Sequence, residues 1–331
     1  MAKTVLGKIA EGVDPQDEKI ARRQKTMSVN DALTIFEARH LVKNRTGKGV
    51  RRALDRDFAD EYGKKPLRDI THAQLITVID QIEDRGAKVQ ANRMIAHLGK
   101  FFRWCIQRNL IENNPAANLS KRVSEKSLAR DRSLTDTELV AVWRAVEAYG
   151  EPFASFYKLL ILTGQRRTEV GELPWSELDI EAKLWTIPKE RTKNKKEHLV
   201  PLSTQVLDIL AAIPKHGPYV FTTTGTRPIS GYAKAKLGID AKLKEADAKV
   251  APWRNHDLRR TLTTAMAGKL GVAPHIADRV LNHTQGTMSD VARVYNTYEY
   301  LDERRHALDA WATYVQRLLS PAPGNVVPMR K

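Results

Sequence analysis

The sequence predicts a mainly α-helical protein with one small antiparallel β-sheet, split into two domains. Three observations predict it. Apolar residues recur at helical spacing through most of the chain. A polar stretch at 116–132 interrupts that periodicity and separates a shorter first block from a longer second one. Two short segments, 183–188 and 198–202, have strand character and flank a charged turn.

Residues 1–27 are polar and mixed in charge, and Gly12 and Asp14-Pro15 interrupt any helix, so a partly disordered leader is expected. Ser28 with Asp31 marks a helix start, because a hydroxyl can accept from the orphan amide donors of a first turn. Val29, Leu33 and Phe36 give that helix its apolar stripe. Val50, Leu54 and Phe58 form a second stripe. Thr71 opens a third helix carrying Leu75, Val78, Ile79 and Ile82. Ile95, Leu98, Phe101, Phe102 and Cys105 form the fourth, and Asn114-Pro115 closes the unit. A four-helix domain over 28–115 follows, then a linker at 116–132.

Thr135 and Glu138 make a capping box that opens the second domain, 133–320. Its first helices carry Leu139, Val142 and Val146, then Phe156, Leu159, Leu160 and Leu162. Pro188 and Pro201 confine the two strands to a sheet edge or to strand ends. Helices resume near Gln205. The last begins near Leu301 and aligns Leu308, Trp311, Ala312, Val315 and Leu318. It either packs on its own domain or docks on a neighbouring protomer. A flexible Pro/Gly-rich tail is expected at 321–331.

The chain of 331 residues is 42% hydrophobic and 28% charged, the profile of a globular protein. No apolar run approaches the roughly 20 residues of a membrane span, and no secretory signal opens the chain. A lone cysteine, Cys105, excludes an intramolecular disulfide and a Cys-based zinc site, which fits a reducing cytoplasm. The net charge of +16 favours a polyanionic partner, nucleic acid or an anionic membrane surface. From Arg85 to Arg122 the sequence holds eight basic residues (Arg85, Lys88, Arg93, Lys100, Arg103, Arg108, Lys121 and Arg122) against one acid, Glu112. A one-sign stretch on folded helices suits a DNA phosphate backbone better than a solvated face does.

Four segments of the second domain carry chemistry-bearing residues. They are Thr163-Gly-Gln-Arg-Arg-Thr-Glu169, the strand turn with Lys193, His256-Asp-Leu-Arg259, and Leu281-Asn-His283 followed by Tyr295. The i, i+3 spacing puts His256 and Arg259 on one helix face. Arg166 and Arg259 can each grip phosphate oxygens through paired N–H donors. Glu169 can orient an arginine. The turn also holds Lys189, Arg191, Lys195 and Lys196, and Tyr298 and Tyr300 lie close to Tyr295.

The ordered set Arg, Lys, His-x-x-Arg, His, Tyr resembles the tyrosine recombinase family, the phage integrases. The residues that carry the likeness are T-G-Q-R-R-T-E-V-G-E-L-P-W, E-R-T-K-N-K-K-E-H-L-V-P-L, N-H-D-L-R-R-T, V-L-N-H and V-Y-N-T-Y-E-Y-L-D-E-R-R. They are most similar to prophage and genomic-island integrases. The resemblance implies a helical core-binding domain followed by a tyrosine-recombinase catalytic domain. It selects Tyr295 as nucleophile and Lys193, by its distance to Val200-Pro201-Leu202, as the lysine. It implies a 3′-phosphotyrosyl intermediate with a free 5′ hydroxyl and no cofactor or metal. Double-stranded DNA attachment sites, a homotetramer on DNA, and DNA-bending and directionality factors are the implied partners, at the nucleoid of a bacterial cell. The Gln285-Gly-Thr-Met288 stretch lengthens the gap to Tyr295. Two other functions fit the same charge: type IB topoisomerase-like relaxation, and a non-catalytic architectural protein.

Overall fold

In the computed structural model, which describes residues 27–44, 46–124, 131–283 and 300–320, the chain divides between Arg130 and Asp131. The expected leader up to residue 26, Gln285 to Met288, Tyr295, Tyr298 and the tail 321–331 lie outside the described residues.

The first unit is helical. Helix α1 (Val29–Arg39) starts as expected: Ser28 Oγ accepts from Asp31 N at 3.2 Å, and the Asp31 carboxylate accepts from Ser28 N at 3.1 Å. Helix α2 (Gly47–Leu54) runs through a π-helical turn (Asp55–Ala59) into a last turn at Asp60–Tyr62. Thr71 and Gln74 cap α3 (His72–Asp84), and α4 (Lys88–Gln107) follows. Leu33, Phe36, Leu54, Phe58, Val78, Ile79, Leu98, Phe101 and Phe102 bury one core, with Val50 and Ile95 partly buried at its rim. Asp57 sinks into this unit because Arg56 and Arg85 bond its carboxylate, which also holds its pKa below the usual range.

The described start of the expected linker is laid along this unit. Ala116 is buried in its core, His72 Nδ1 bonds the Pro115 carbonyl at 2.8 Å, and the Asn92 amide holds Arg122 N and Val123 O, each at 2.8 Å. Apolar periodicity is silent about such a segment, which side-chain amides hold to the surface.

In the second unit, Thr135 and Glu138 cap α5 (Asp136–Tyr149). Glu138 also receives both Arg132 terminal nitrogens and Ala251 N, and these donors overcome burial to hold its carboxyl down at about 2. Helix α6 (Phe153–Thr163) stops at Gly164, whose φ of +64° is left-handed. A Cβ there would also press on the leucine methyls of Leu262 at 2.9 Å and Leu281 at 3.0 Å, which adds to the backbone reason for glycine. The short α7 (Arg167–Gly171) leads to the sheet.

That sheet has three antiparallel strands in the order β1 (Leu178–Asp179), β2 (Leu184–Ile187), β3 (His198–Pro201). Trp185 faces Val200, and both are buried. Pro201 ends an edge strand and Pro188 lies just past β2, the places a missing N–H allows. Strand β1 was not expected, because two residues carry no alternation. Helices α8 (Thr204–Ala212), α9 (Tyr232–Glu245), α10 (Asn255–Lys269), α11 (Pro274–Val280) and α12 (Leu301–Leu319) complete the unit. Helix α12 packs on its own domain here: Leu308, Trp311, Ala312 and Val315 are buried in the common core, and Trp311 Nε1 donates to Ile161 O at 2.9 Å. No helix among the described residues is long and apolar enough to cross a membrane.

Candidate active site

Two helix C-termini meet beneath the site. The last carbonyls of a helix lack intrahelical partners and carry partial negative charge. Here α6 ends at Thr163 and Gly164, and α11 ends at Val280 and Leu281. Gln165, 2% exposed, donates its side-chain amide to Thr163 O and Val280 O, each at 2.9 Å. Arg259, brought in by α10 and 4% exposed, donates to Gly164 O at 2.6 Å and to Leu281 O. Helix-end carbonyls thus provide the hydrogen bonds a buried guanidinium needs. Burial, then the Arg166 charge, lowers the Arg259 pKa to about 9 against the opposing pull of Glu169, which leaves it protonated near neutrality.

Arg166 follows Gln165 in an extended conformation at the head of α7. Glu169 accepts its backbone N–H at 2.9 Å and its guanidinium at 2.8 Å. Glu169 is 3% exposed, so this is an anchored pair and not a loose surface one. Helix α10 begins where Asp257 accepts from Arg254 N at 2.9 Å, which sets His256 one turn before Arg259. Arg166, His256 and Arg259 all line one cleft of about 500 Å³, together with Tyr232, Lys236 and Trp253.

His283 follows the end of α11, after the left-handed Asn282, with its backbone N–H on Asp278 O at 3.0 Å and its Nδ1 3.3 Å from the Asp278 carboxylate. Burial first, then Arg259, lowers the pKa of both His256 and His283; Asp257 opposes this at the first and Asp278 at the second.

Lys193 stands exposed on the β2–β3 turn and is not among the residues lining the cleft. The turn itself is fastened. Thr192 Oγ1 is placed 2.7 Å from Lys196 O and 3.1 Å from Lys189 O. Arg191 donates to Glu169 O at 2.7 Å and pairs with Glu177. Asn194 Nδ2 donates to Asn282 Oδ1 at 2.5 Å. One of the five turn cations is therefore a strut, which a charge count does not reveal. Tyr300 is engaged in packing, its ring 5.2 Å from that of His275 and under Arg279.

Of the eight basic residues of the first unit, Arg93, Lys100 and Arg103 are exposed along one face of α4. Arg108 lies over the Trp104 ring. Arg85, Lys88 and Arg122 pair with Asp57, Glu83 and Asp80 respectively. Lys121 is exposed. Sequence reasoning missed Gln165, Arg191, Asn194 and Asn282. Only Gln165, beside the helix-ending Gly164, carried a local signal.

Comparison with known proteins decides what this arrangement belongs to. Residues 132–300 match the phage integrase family, and residues 32–122 match the phage integrase central domain. The chain belongs to the phage integrase family. This integrase is 26% identical over 335 residues to the prophage integrase IntZ of Escherichia coli K12, across 97% of its own length and 80% of the relative's. It is 24% identical over 339 residues to the integrase of Enterobacteria phage P4, covering 93% of this chain and 74% of that one. Its fold matches a lambda integrase solved as a tetramer bound to a Holliday junction, with a TM-score of 0.65 at 20% identity over 84% of this chain and 83% of that one. It is a tyrosine recombinase, an enzyme of site-specific DNA recombination.

Proposed function

We propose that this integrase cleaves and rejoins duplex DNA attachment sites through a 3′-phosphotyrosyl bond to Tyr295, integrating or excising a prophage or genomic island. The observation that carries the reading is the convergence of Arg166, His256 and Arg259 on one cleft, with Arg259 held by carbonyls that leave its charge uncancelled.

The tyrosine hydroxyl, with an ordinary pKa of about 10, is activated by the surrounding cations and by loss of its proton to His256. Its oxygen attacks phosphorus. Arg166 and Arg259 stabilise the equatorial charge of the pentacoordinate state, and His283 donates to the same phosphate. Lys193 protonates the leaving 5′ oxygen. Glu169 keeps Arg166 in place. Because the new ester stores the bond energy, rejoining needs no ATP.

The exposed α4 face with Arg93, Lys100 and Arg103 supports phosphate-backbone binding by the first unit, with Arg85, Lys88, Arg108, Lys121 and Arg122 around it. A homotetramer on DNA, with bending and directionality factors, completes the proposal; the tetrameric assembly of the lambda structure supports it.

A nicked suicide substrate tests the reading. The parent protein should form a covalent adduct that survives a denaturing gel, and Tyr295→Phe should form none. No adduct from the parent would make this a binding protein. Supercoil relaxation without recombinant product would favour the topoisomerase alternative.

A further inference from the structure

We propose that Asn194 and Asn282 form an amide clasp that positions Lys193 beside His283 for proton donation to the leaving oxygen. The proposal rests on the reading of Lys193 as that donor. Asn194 Nδ2 donates to Asn282 Oδ1 at 2.5 Å, and Asn282 Nδ2 reaches back to Asn194 Oδ1 at 3.5 Å. The partners are 88 residues apart in the chain. Each is the immediate neighbour of a proposed site residue: Lys193 precedes Asn194, and His283 follows Asn282.

Lys193 needs such a device. It sits on an exposed hairpin turn, and a lysine side chain carries large rotamer freedom. A general acid must come within hydrogen-bond reach of the atom it protonates, and a misplacement of about 1 Å can cost about 100-fold in rate. Thr192 closes the turn on itself and Arg191 ties it to α7. Asn194 secures it toward the end of α11, where His283 stands. The clasp therefore fixes the distance between two groups that act on the same phosphate.

The backbone gives a second, independent observation. Asn282 has φ +51°, in the left-handed region where glycine is the residue of least cost. Asparagine tolerates that region better than most residues, and its amide is the part that glycine lacks. Here that amide is spent on Asn194. Lys195, on the other side of Asn194, is also left-handed at φ +56°, and Asn194 Oδ1 accepts from Lys196 N at 3.2 Å. The tip of the turn is folded tightly around the asparagine that reaches across.

The step at issue is one bond exchange. Tyr295 Oη forms a bond to phosphorus, the P–O5′ bond breaks, and O5′ takes the proton from Lys193 Nζ. If sulfur replaces that bridging oxygen, the P–S bond breaks to give a thiolate, which leaves without a proton because a thiol has a pKa of about 8.5. A defect in proton donation is then bypassed. A defect in phosphate binding or folding is not.

The experiment uses the full chain with Asn194→Ala, Asn282→Gly, the double variant and Lys193→Ala. Each is assayed for single-turnover cleavage of nicked suicide substrates with either a bridging 5′ oxygen or a bridging 5′ sulfur. Asn282→Gly keeps the left-handed turn available, so its thermal midpoint should stay near the parent's. Both single variants should cleave the oxygen substrate ~10–100-fold more slowly. The double variant should be no slower than the worse single one, because both remove the same contact. All should regain near-parental rates on the sulfur substrate, as should Lys193→Ala. Parental rates on the oxygen substrate would overturn the clasp, and so would an equal loss on both substrates. If Lys193→Ala is not rescued by sulfur, the lysine is not the donor and the proposal fails at its base.

Discussion

Replacing Arg259 by lysine separates a catalytic guanidinium from a structural strut. A guanidinium has five N–H donors. In the folded protein one terminal nitrogen donates to Gly164 O and the other to Leu281 O. Three donors remain for a phosphate, enough for a two-point grip. An ammonium has three donors radiating from one atom. If it satisfies the same two carbonyls, one donor is left and the grip falls to a single point. Loss of one donor to a developing oxyanion costs about 2.7–4 kcal/mol of barrier, which is about 100- to 1,000-fold in rate. DNA affinity should hold, since it is spread over many phosphate contacts. Adduct formation on a nicked substrate at saturating enzyme measures the rate, and a gel shift measures binding. A fall of less than about tenfold, 1.36 kcal/mol, would refute the reasoning. Arg259 would then be a brace for two helix ends that lysine replaces adequately.

Two further outcomes follow from the packing. Trp311→Ala should cost about 3–5 kcal/mol in urea denaturation, because the indole is 1% exposed and its N–H satisfies Ile161 O. A loss below about 1 kcal/mol would mean that α12 is not part of this core in solution. His198, 4% exposed, has its pKa lowered well below 6.5 by burial first and then by Arg304 and Arg259. Below pH 6.5 the unfolded chain therefore binds a proton there that the folded chain resists. Stability therefore decreases as the pH is lowered through that window, with a slope from this group approaching about 1.36 kcal/mol per pH unit. His198→Gln should remove this part of the slope, so parent and variant should differ less at pH 5.5 than at pH 7. Parallel curves would sink the assignment.

The parts of the fold legible in sequence are those where one residue type has one physical use. Ser28–Asp31 and Thr135–Glu138 announce helix starts, and both cap as expected. Gly164 announces a helix end. The stripe ending in Trp311 and Val315 identifies a buried face, although whose core it enters is not a property of a stripe. What stayed illegible were pairings set by distance through space. Nothing in Lys189-Glu-Arg-Thr-Lys-Asn says that Arg191 braces α7 while Lys193 stays exposed. A count of eight basic residues likewise misses that Arg85, Lys88 and Arg122 are already paired with Asp57, Glu83 and Asp80.

The choice of partners for the two arginines explains how a cleft can stay ready for an anion. Had Arg259 been buried against a carboxylate, the pair would have been neutral and the phosphate would have had to break it. Carbonyl oxygens at two helix ends supply hydrogen bonds without supplying a full negative charge. Only Arg166 has a carboxylate partner, Glu169. Arg166, Arg259 and Glu169 together therefore keep a net positive charge for a phosphodiester. Arg166 keeps its side chain 25% exposed at the cleft. The buried arginine supplies charge and the anchored one supplies reach. A carboxylate in place of either carbonyl would cancel the Arg259 charge and weaken the site's hold on the phosphate.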